Sequence, residues 1–282
     1  MKRKLVQHGA STLITSLPSK WCSKYDLKRG DEIDIEERGP ILEISTEKAL
    51  AVRTQRLDIR NLSKSLIWRY ILSLYRYGVD EIEIVHEDKF DLIQEITNSL
   101  IGFGIIKQGK NTITIKDLSG VSESEFQTVY RRCFFLLLDI AKQTYELYTS
   151  KQSLDQIPNM DKNLNKYVDY CLRVLNKKGF SDPRQTSLYY HTIIQIEFIG
   201  DTYSLIAKTK PKKLEFFKEI NEFLRKFYEL CFEYNDKKAQ EIFDIRKELE
   251  PKVKNPQLLE VIYSIINLVD VQYAISLSNN KI

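Results

Sequence analysis

The opening stretch GASTLITSLPSKWCSKYDLKRGDEIDI, which begins at Gly9, constrains the fold most because its character changes several times within a few residues. Alternating apolar and polar residues predict short strands, and Pro18 interrupts them before a short basic helix over residues 19–25. A turn at Lys28–Asp31 then leads into an acidic strand pair that closes at Arg38–Pro40. The pattern predicts the order β-β-α-β-β.

The region predicted as this first domain, residues 1–47, is too small to be stable alone. Four short strands and one short helix bury little apolar surface, and domains of this size usually need disulfides, a structural metal or a partner chain. Gly30 is the residue of the turn expected to take a positive φ. The sequence therefore predicts that the domain is completed by another chain.

Charge is separated within this domain, although the whole chain carries a net charge of only +4. An acidic excess over residues 31–47 follows a basic excess over residues 1–30. One basic face could bind a phosphate backbone, and the alternative is an ordinary solvated surface. The candidate DNA-binding residues are Lys2, Arg3, Lys4, Lys20, Lys24, Lys28 and Arg29.

In the rest of the chain, the pattern of apolar residues predicts a small α/β module over residues 57–118 and a helical region over residues 122–278. The module has the predicted order α-β-α-β-β, and its first helix spans Leu62–Tyr77. In the helical region, proline and glycine separate long amphipathic helices that predict an antiparallel bundle. The predicted helices span residues 122–150, 160–177, 183–208, 211–234, 236–252 and 256–277.

An internal sequence similarity divides these six helices into two three-helix repeats, about 122–209 and 211–278. IIQIEFIGDTYSLI, ending at Ile206, resembles IYSIINLVDVQYAI, ending at Ile275, and the alternative is a chance likeness of apolar helices. The overall prediction is an α+β multidomain protein. It comprises a β module, a small α/β module and an all-α bundle.

Several function classes are disfavoured by what the sequence contains. The four cysteines form no Cys-x-x-Cys pair, and the three histidines lie in no catalytic or metal-binding motif. No nucleophile elbow, phosphate-binding loop or dinucleotide fingerprint occurs, so we expect no enzyme. No signal peptide or membrane-length apolar run is recognised, which predicts a cytoplasmic protein without membrane insertion.

The first domain resembles the SpoVT-AbrB family. The likeness lies in Ser16-Leu17-Pro18, Trp21 and Leu27-Lys28-x-Gly30-Asp31, together with Gly9-x-Ser11-Thr12. It implies a swapped-hairpin homodimer that binds DNA. Some members carry an arginine pair after the proline, whereas this chain has Cys22 and Ser23. Lysines contact phosphate more readily than they read bases, so we expect binding dominated by the DNA backbone.

The helical region resembles PhoU domains, regulators of phosphate transport built from two three-helix repeats. The likeness lies in Glu197-Phe198-Ile199-Gly200-Asp201 and in Met160-Asp161-x-x-Leu164-Asn165. It implies a metal site of Asp161, Glu197 and Asp201 for a divalent or iron-type ion, since carboxylates four residues apart share a helix face. Asn165 and Ile266 stand where acids are expected. The alternative is a salt-bridged helix surface.

Together these features predict a homodimeric transcriptional regulator of phosphate uptake. Its first domain would bind DNA, and its helical region would sense phosphate status through a metal or a partner protein. The alternative is a PhoU-like signalling adaptor. In that case the first domain only dimerises, and the bundle docks on a phosphate transporter or a kinase.

Overall fold

The computed structural model describes residues 2–38, 41–46, 53–120, 123–180 and 182–278, and the chain divides into two compact units. The first unit spans Met1–Val52 and the second spans Arg53–Ile282. The predicted α+β class is confirmed, since small sheets precede a helical C-terminal region.

The first unit has the predicted order β-β-α-β-β. Its strands form two separate antiparallel pairs, β1 with β2 and β3 with β4. Gly30 takes a φ of +97°, as the turn required, and the Lys28 N–H donates to the Asp31 carboxylate at 2.9 Å. The predicted closure at Gly39 and Pro40 lies outside the described residues. The elements are β1 Val6–His8, β2 Thr12–Ile14, α1 Ser19–Lys24, β3 Asp34–Arg38 and β4 Ile41–Ser45.

The second unit begins with a four-stranded sheet in the order β5-β6-β8-β7, in which only β5 and β6 are parallel. The prediction of α-β-α-β-β was wrong in omitting β5. That strand, TQRLD, has a single half-buried apolar residue, so it carries no strand signal. The elements are β5 Thr54–Asp58, α2 Lys64–Tyr77, β6 Glu81–Val85, α3 Phe90–Ser99, β7 Phe103–Gln108 and β8 Thr112–Asp117.

The predicted helices are present, most of their bounds agree within three residues, and two larger corrections are needed. The fourth begins at Phe217 rather than residue 211, because Phe216 before it takes a left-handed φ of 61°. The last is interrupted at Asn267, a residue type whose side chain competes for backbone hydrogen bonds. The helices are α4 Glu123–Thr149, α5 Ile157–Lys177, α6 Pro183–Thr209, α7 Phe217–Phe232, α8 Asp236–Leu249, α9 Pro256–Ile266 and α10 Val269–Ser278.

The segment Pro256–Leu277 is long and apolar enough to cross a membrane by length and composition. Half of its most apolar window is buried inside the protein, and core helices of soluble proteins meet the same criterion. Val261, Ile262 and Ile265 belong to the hydrophobic core that the helices share. The segment is therefore weak evidence for a membrane span.

Two arginines join the sheet layer to the helices in opposite directions. Arg173 of α5 is 1% exposed and donates to the carbonyls of Tyr75 and Val79, each at 2.8 Å. Its second terminal nitrogen, Nη2, donates to the carboxylates of Asp80 at 3.1 Å and Asp117 at 2.8 Å. In return, Arg76 of α2 donates to carboxylates on α5 and α6. The sheet layer and the helices are thus tied by buried ion pairs.

We predict that Arg173→Met lowers the free energy of unfolding by about 3–5 kcal/mol, because the buried Asp117 keeps only Lys177, 3.9 Å away, and the carbonyls of Tyr75 and Val79 lose their donor. Urea unfolding followed by circular dichroism measures the loss. The matched control is Arg184→Met, since the Arg184 side chain is 84% exposed and pairs with Asp182 at the surface. The control should lose about 0–1 kcal/mol, and equal losses would contradict the account.

Candidate functional site

The seven basic residues predicted to bind DNA are all exposed in the first unit. Lys20 and Lys24 lie on α1 four residues apart, so they share one face of that helix. The Lys24 ammonium lies 5.2 Å from the centre of the Tyr25 ring, and Lys28 lies 3.5 Å from Asp26. These cations are accessible to a large anionic partner.

The same unit also exposes apolar side chains on all four strands or beside them. Val6 faces Ile14 across the first hairpin, yet both are exposed, and no described residue of this unit belongs to either hydrophobic core. An isolated two-stranded hairpin is marginally stable in water. Seven residues, between 47% and 65% exposed, form this set: Leu5, Val6, Leu13, Ile14, Ile35, Ile41 and Leu42.

Asp161 lies next to Asp201, but the three residues predicted to bind metal do not form a three-carboxylate group. Asp161 is only 6% exposed, and its Oδ1 has no hydrogen-bond partner, whereas Asp201 is exposed on α6. Glu197 instead accepts a hydrogen bond from Arg76 at 2.8 Å. Within the described ranges, no group of three or more His, Cys, Asp or Glu side chains is placed to hold a metal ion.

Two acids of this region, Asp161 and Asp169, have raised pKa values. Burial, followed by the neighbouring charge of Asp201, raises the pKa of Asp161 to about 7. Burial also raises the pKa of Asp169 to about 6, against the opposing effect of Arg76. Asp161 gains no hydrogen bond at Oδ1 in return for its burial, and that oxygen points toward Gly200, where an added Cβ would lie 3.0 Å away. Close packing of α5 on α6 therefore holds a buried carboxyl whose Oδ1 has no hydrogen-bond partner.

Two residues that bind near Glu197, Arg76 and Asp169, were not predicted from the sequence. Asp169 accepts from the Arg76 Nε at 2.6 Å, so Arg76 lies between Asp169 and Glu197. One signal was available, because Asp161 and Asp169 are eight residues apart and share a helix face. No pattern along the chain could show that Arg76 of α2 would reach them. The cation bonded to the Glu197 carboxylate is Arg76, which Glu197 shares with Asp169.

A cavity of about 400 Å³ lies beside these ion pairs, and we call it the α2–α5 cavity. Residues of α2, α3, α5 and α6 form its walls, with Trp68 and Leu72 on the apolar side. Lys162 and Lys166 line it from α5, one helical turn apart. The cavity thus combines an apolar wall with equal numbers of cationic and carboxylate side chains.

No protein-family model, curated protein or solved structure matches this chain. The likenesses to SpoVT-AbrB and PhoU proteins therefore remain predictions from the quoted residues. Any function has to be argued from the sites themselves.

We predict that Asp161→Asn stabilises the protein at pH 8 but not at pH 4.5. The folded-state pKa of about 7 lies above the ordinary value of 3.8, so stability falls as pH rises between these values. The amide cannot ionise, and we expect a gain of about 1–3 kcal/mol in the free energy of unfolding at pH 8. Urea unfolding at both pH values measures it.

The control for this prediction is Asp139→Asn, which removes one exposed carboxylate from α4. It should change stability little at either pH. A loss of stability in Asp161→Asn at pH 8, or an equal gain at pH 4.5, would contradict the assignment.

Proposed function

We propose that this protein is a homodimeric, DNA-binding transcriptional regulator of the cytoplasm. Two copies of the first unit pair through their exposed hairpins, and the paired unit presents its basic residues to the phosphate backbone of DNA. The likeness to SpoVT-AbrB domains favours the same arrangement. The likeness of the helical region to PhoU domains favours phosphate uptake as the regulated process.

The observation that carries this proposal is the absence of a core among the described residues of the first unit. Its apolar strand residues are exposed in one chain, whereas the second unit has two well-formed cores. Burying a side chain such as Leu13 or Leu42 fully is worth about 1.5–3 kcal/mol. A second copy carries matching hairpins, and a two-fold pair is the commonest way to cover such a face.

The chemistry of the basic residues favours contacts with phosphate over the reading of bases. Five of the seven candidates are lysines, which act as point charges. Charge–phosphate contacts release counterions and make affinity strongly dependent on salt. Such a protein recognises the shape and charge of the duplex more than its base sequence.

We predict that the purified protein is a dimer at micromolar concentration by analytical ultracentrifugation. Leu13→Glu with Leu42→Glu should shift it to the monomer, because charges would then occupy the apolar hairpin faces. The matched control is Leu205→Glu, a change at a 43% exposed position of α6. A wild-type monomer, or a control that dissociates as readily, would contradict dimerisation through the hairpins.

We also predict binding to duplex DNA that weakens steeply with salt, by about 0.9 log units per neutralised phosphate per log unit of salt. Fluorescence anisotropy of a labelled duplex measures it. Lys20→Gln with Lys24→Gln should lower affinity and flatten the salt dependence. Lys212→Gln with Lys218→Gln removes the same charge from exposed positions of the second unit and should change neither.

These DNA-binding titrations distinguish a transcriptional regulator from a signalling adaptor. DNA affinity that does not depend on salt, or equal losses in both double variants, would contradict the proposed interface. An intact dimer that binds no DNA would favour the adaptor, in which the first unit only joins two copies.

A further inference from the structure

An open cavity of about 780 Å³ lies in the helical part of the second unit, and we call it the α8–α10 cavity. It lies beside the interruption between α9 and α10 at Asn267, and its walls come from α6, α8, α9, α10 and the segment before α8. Its volume falls within the range of about 300–1,000 Å³ that is typical of ligand pockets. All of its described lining residues belong to the second unit, so it is separate from the surface proposed for DNA binding.

The charge in the walls of this cavity has one sign. Asp236 and Asp270 line it, whereas no lysine or arginine does so among the residues that the structure describes. Both aspartates are exposed, and neither forms an ion pair with a described residue. Apart from tyrosine hydroxyls, the other polar groups are the amides of Gln240 and Asn267 and the imidazole of His191. The cavity therefore presents two carboxylates without a cationic side chain beside them.

The positions of these two acids do not by themselves balance their charge. Asp236 and Asp270 each lie in the first turn of a helix, where the helix dipole favours a carboxylate. That dipole amounts to about half an elementary charge, so part of each negative charge stays uncompensated. The ion pairs described above differ, because Arg76 donates to both Asp169 and Glu197. We therefore expect a ligand of the α8–α10 cavity to be cationic.

Aromatic rings beside the acids favour an organic cation over a metal ion. The Tyr234 and Tyr273 rings lie 5.7 Å apart between their centroids, and burial followed by the charge of Asp236 raises the pKa of Tyr234. Tyr273 is 45% exposed and Phe243 is 37% exposed, so ring surface is accessible in the cavity. Ring faces attract ammonium groups, whereas hard divalent cations take several oxygen ligands. The rings and the carboxylates thus suit the same organic cation.

The remaining walls are apolar and suit a hydrocarbon chain. Ala239, Ile266 and Val269 line the cavity from α8, α9 and α10. An aliphatic chain gains free energy when it leaves water for contact with such a surface. A single ammonium group would leave one of the two carboxylates unpaired. The ligand that matches both features has at least two ammonium groups joined by a hydrocarbon chain.

We propose that the α8–α10 cavity binds an aliphatic polyamine, with one ammonium group at Asp236 and another at Asp270. The chain between them lies against Ile266 and Val269, and at least one ammonium group contacts the face of the Tyr273 ring. The bound polyamine bridges α8 and α10. Because it binds the folded protein only, it also raises the unfolding midpoint of the second unit.

Calorimetric titration of the intact protein with amines tests this proposal. Putrescine, cadaverine, spermidine and spermine are compared at pH 8 in about 150 mM salt, which screens distant charges. We expect a dissociation constant below about 1 mM for at least one of them. Butylamine, which has the four-carbon chain of putrescine but one ammonium group, should bind at least about tenfold more weakly than the best polyamine. Mg²⁺ should also bind more weakly than that polyamine.

Variants of the two acids locate the binding. Asp236→Asn with Asp270→Asn should weaken the best polyamine at least about tenfold, since both charged hydrogen bonds are lost. Asp91→Asn with Glu219→Gln is the matched control, because it also removes two exposed acids from the first turns of helices, α3 and α7. The control should leave binding unchanged. The unfolding midpoint of each variant without ligand verifies its fold.

A separate variant, Tyr273→Leu, tests the aromatic contact. It should weaken the best polyamine about twofold to fivefold, which is the range expected for an exposed cation–π contact. Tyr263→Leu, at a 42% exposed position of α9, should leave binding unchanged.

Five results would overturn the proposal. Three concern the ligands: no heat with any of the four polyamines, an affinity for butylamine equal to that of the best polyamine, or tighter binding of Mg²⁺. The other two concern the variants. They are equal weakening by the two pairs of acid substitutions, or equal effects of the two tyrosine substitutions.

Discussion

The organising constraint of this protein is that the described residues of its first unit leave the apolar side chains of their strands exposed. Val6 faces Ile14 in one hairpin, and Ile35 faces Ile44 in the other, but the two hairpins form separate sheets. Two-stranded sheets with solvent on both faces are marginal, and three or more strands with a covered face are needed for stability. Covering these strands with a second copy would also fix α1 and its lysines in one arrangement. Assembly and DNA binding would then depend on the same contacts.

The second unit is constrained in the opposite way, by groups that are buried deeply and paired. Arg173 reaches into the sheet layer from α5, and Arg76 reaches from α2 to Asp169 and Glu197. Removing one member of such a pair leaves a buried charge, so the layers are held in a specific relation. The ion pair with Arg76 places a cation beside the Glu197 carboxylate. Asp161 has no such ion pair, and its burial and the charge of Asp201 raise its pKa against the opposing effect of Lys208.

Periodicity along the chain was enough to predict most of the elements. Alternation located the four strands of the first unit, and helical spacing with proline and glycine boundaries located the helices. Periodicity did not predict β5, because TQRLD has one apolar residue. It also did not predict the helix break at Asn267, because the apolar pattern continues across that residue. The metal site stays a prediction, although the Asp161 and Glu197 motifs do lie on helices that pack together, α5 and α6. The pairing of Arg76 with Asp169 joins residues 93 positions apart and depends on tertiary packing that no local pattern encodes.

The most direct measurement of the central claim is amide hydrogen exchange in β1–β4 of the intact protein as a function of its concentration. Strands that are completed by a second copy should exchange slowly in the concentrated sample and quickly after dilution, while the amides of α5 and α6 stay protected throughout. Slow exchange in β1–β4 that does not change on dilution would mean that a single chain stabilises these hairpins. That result would contradict the account of the first unit.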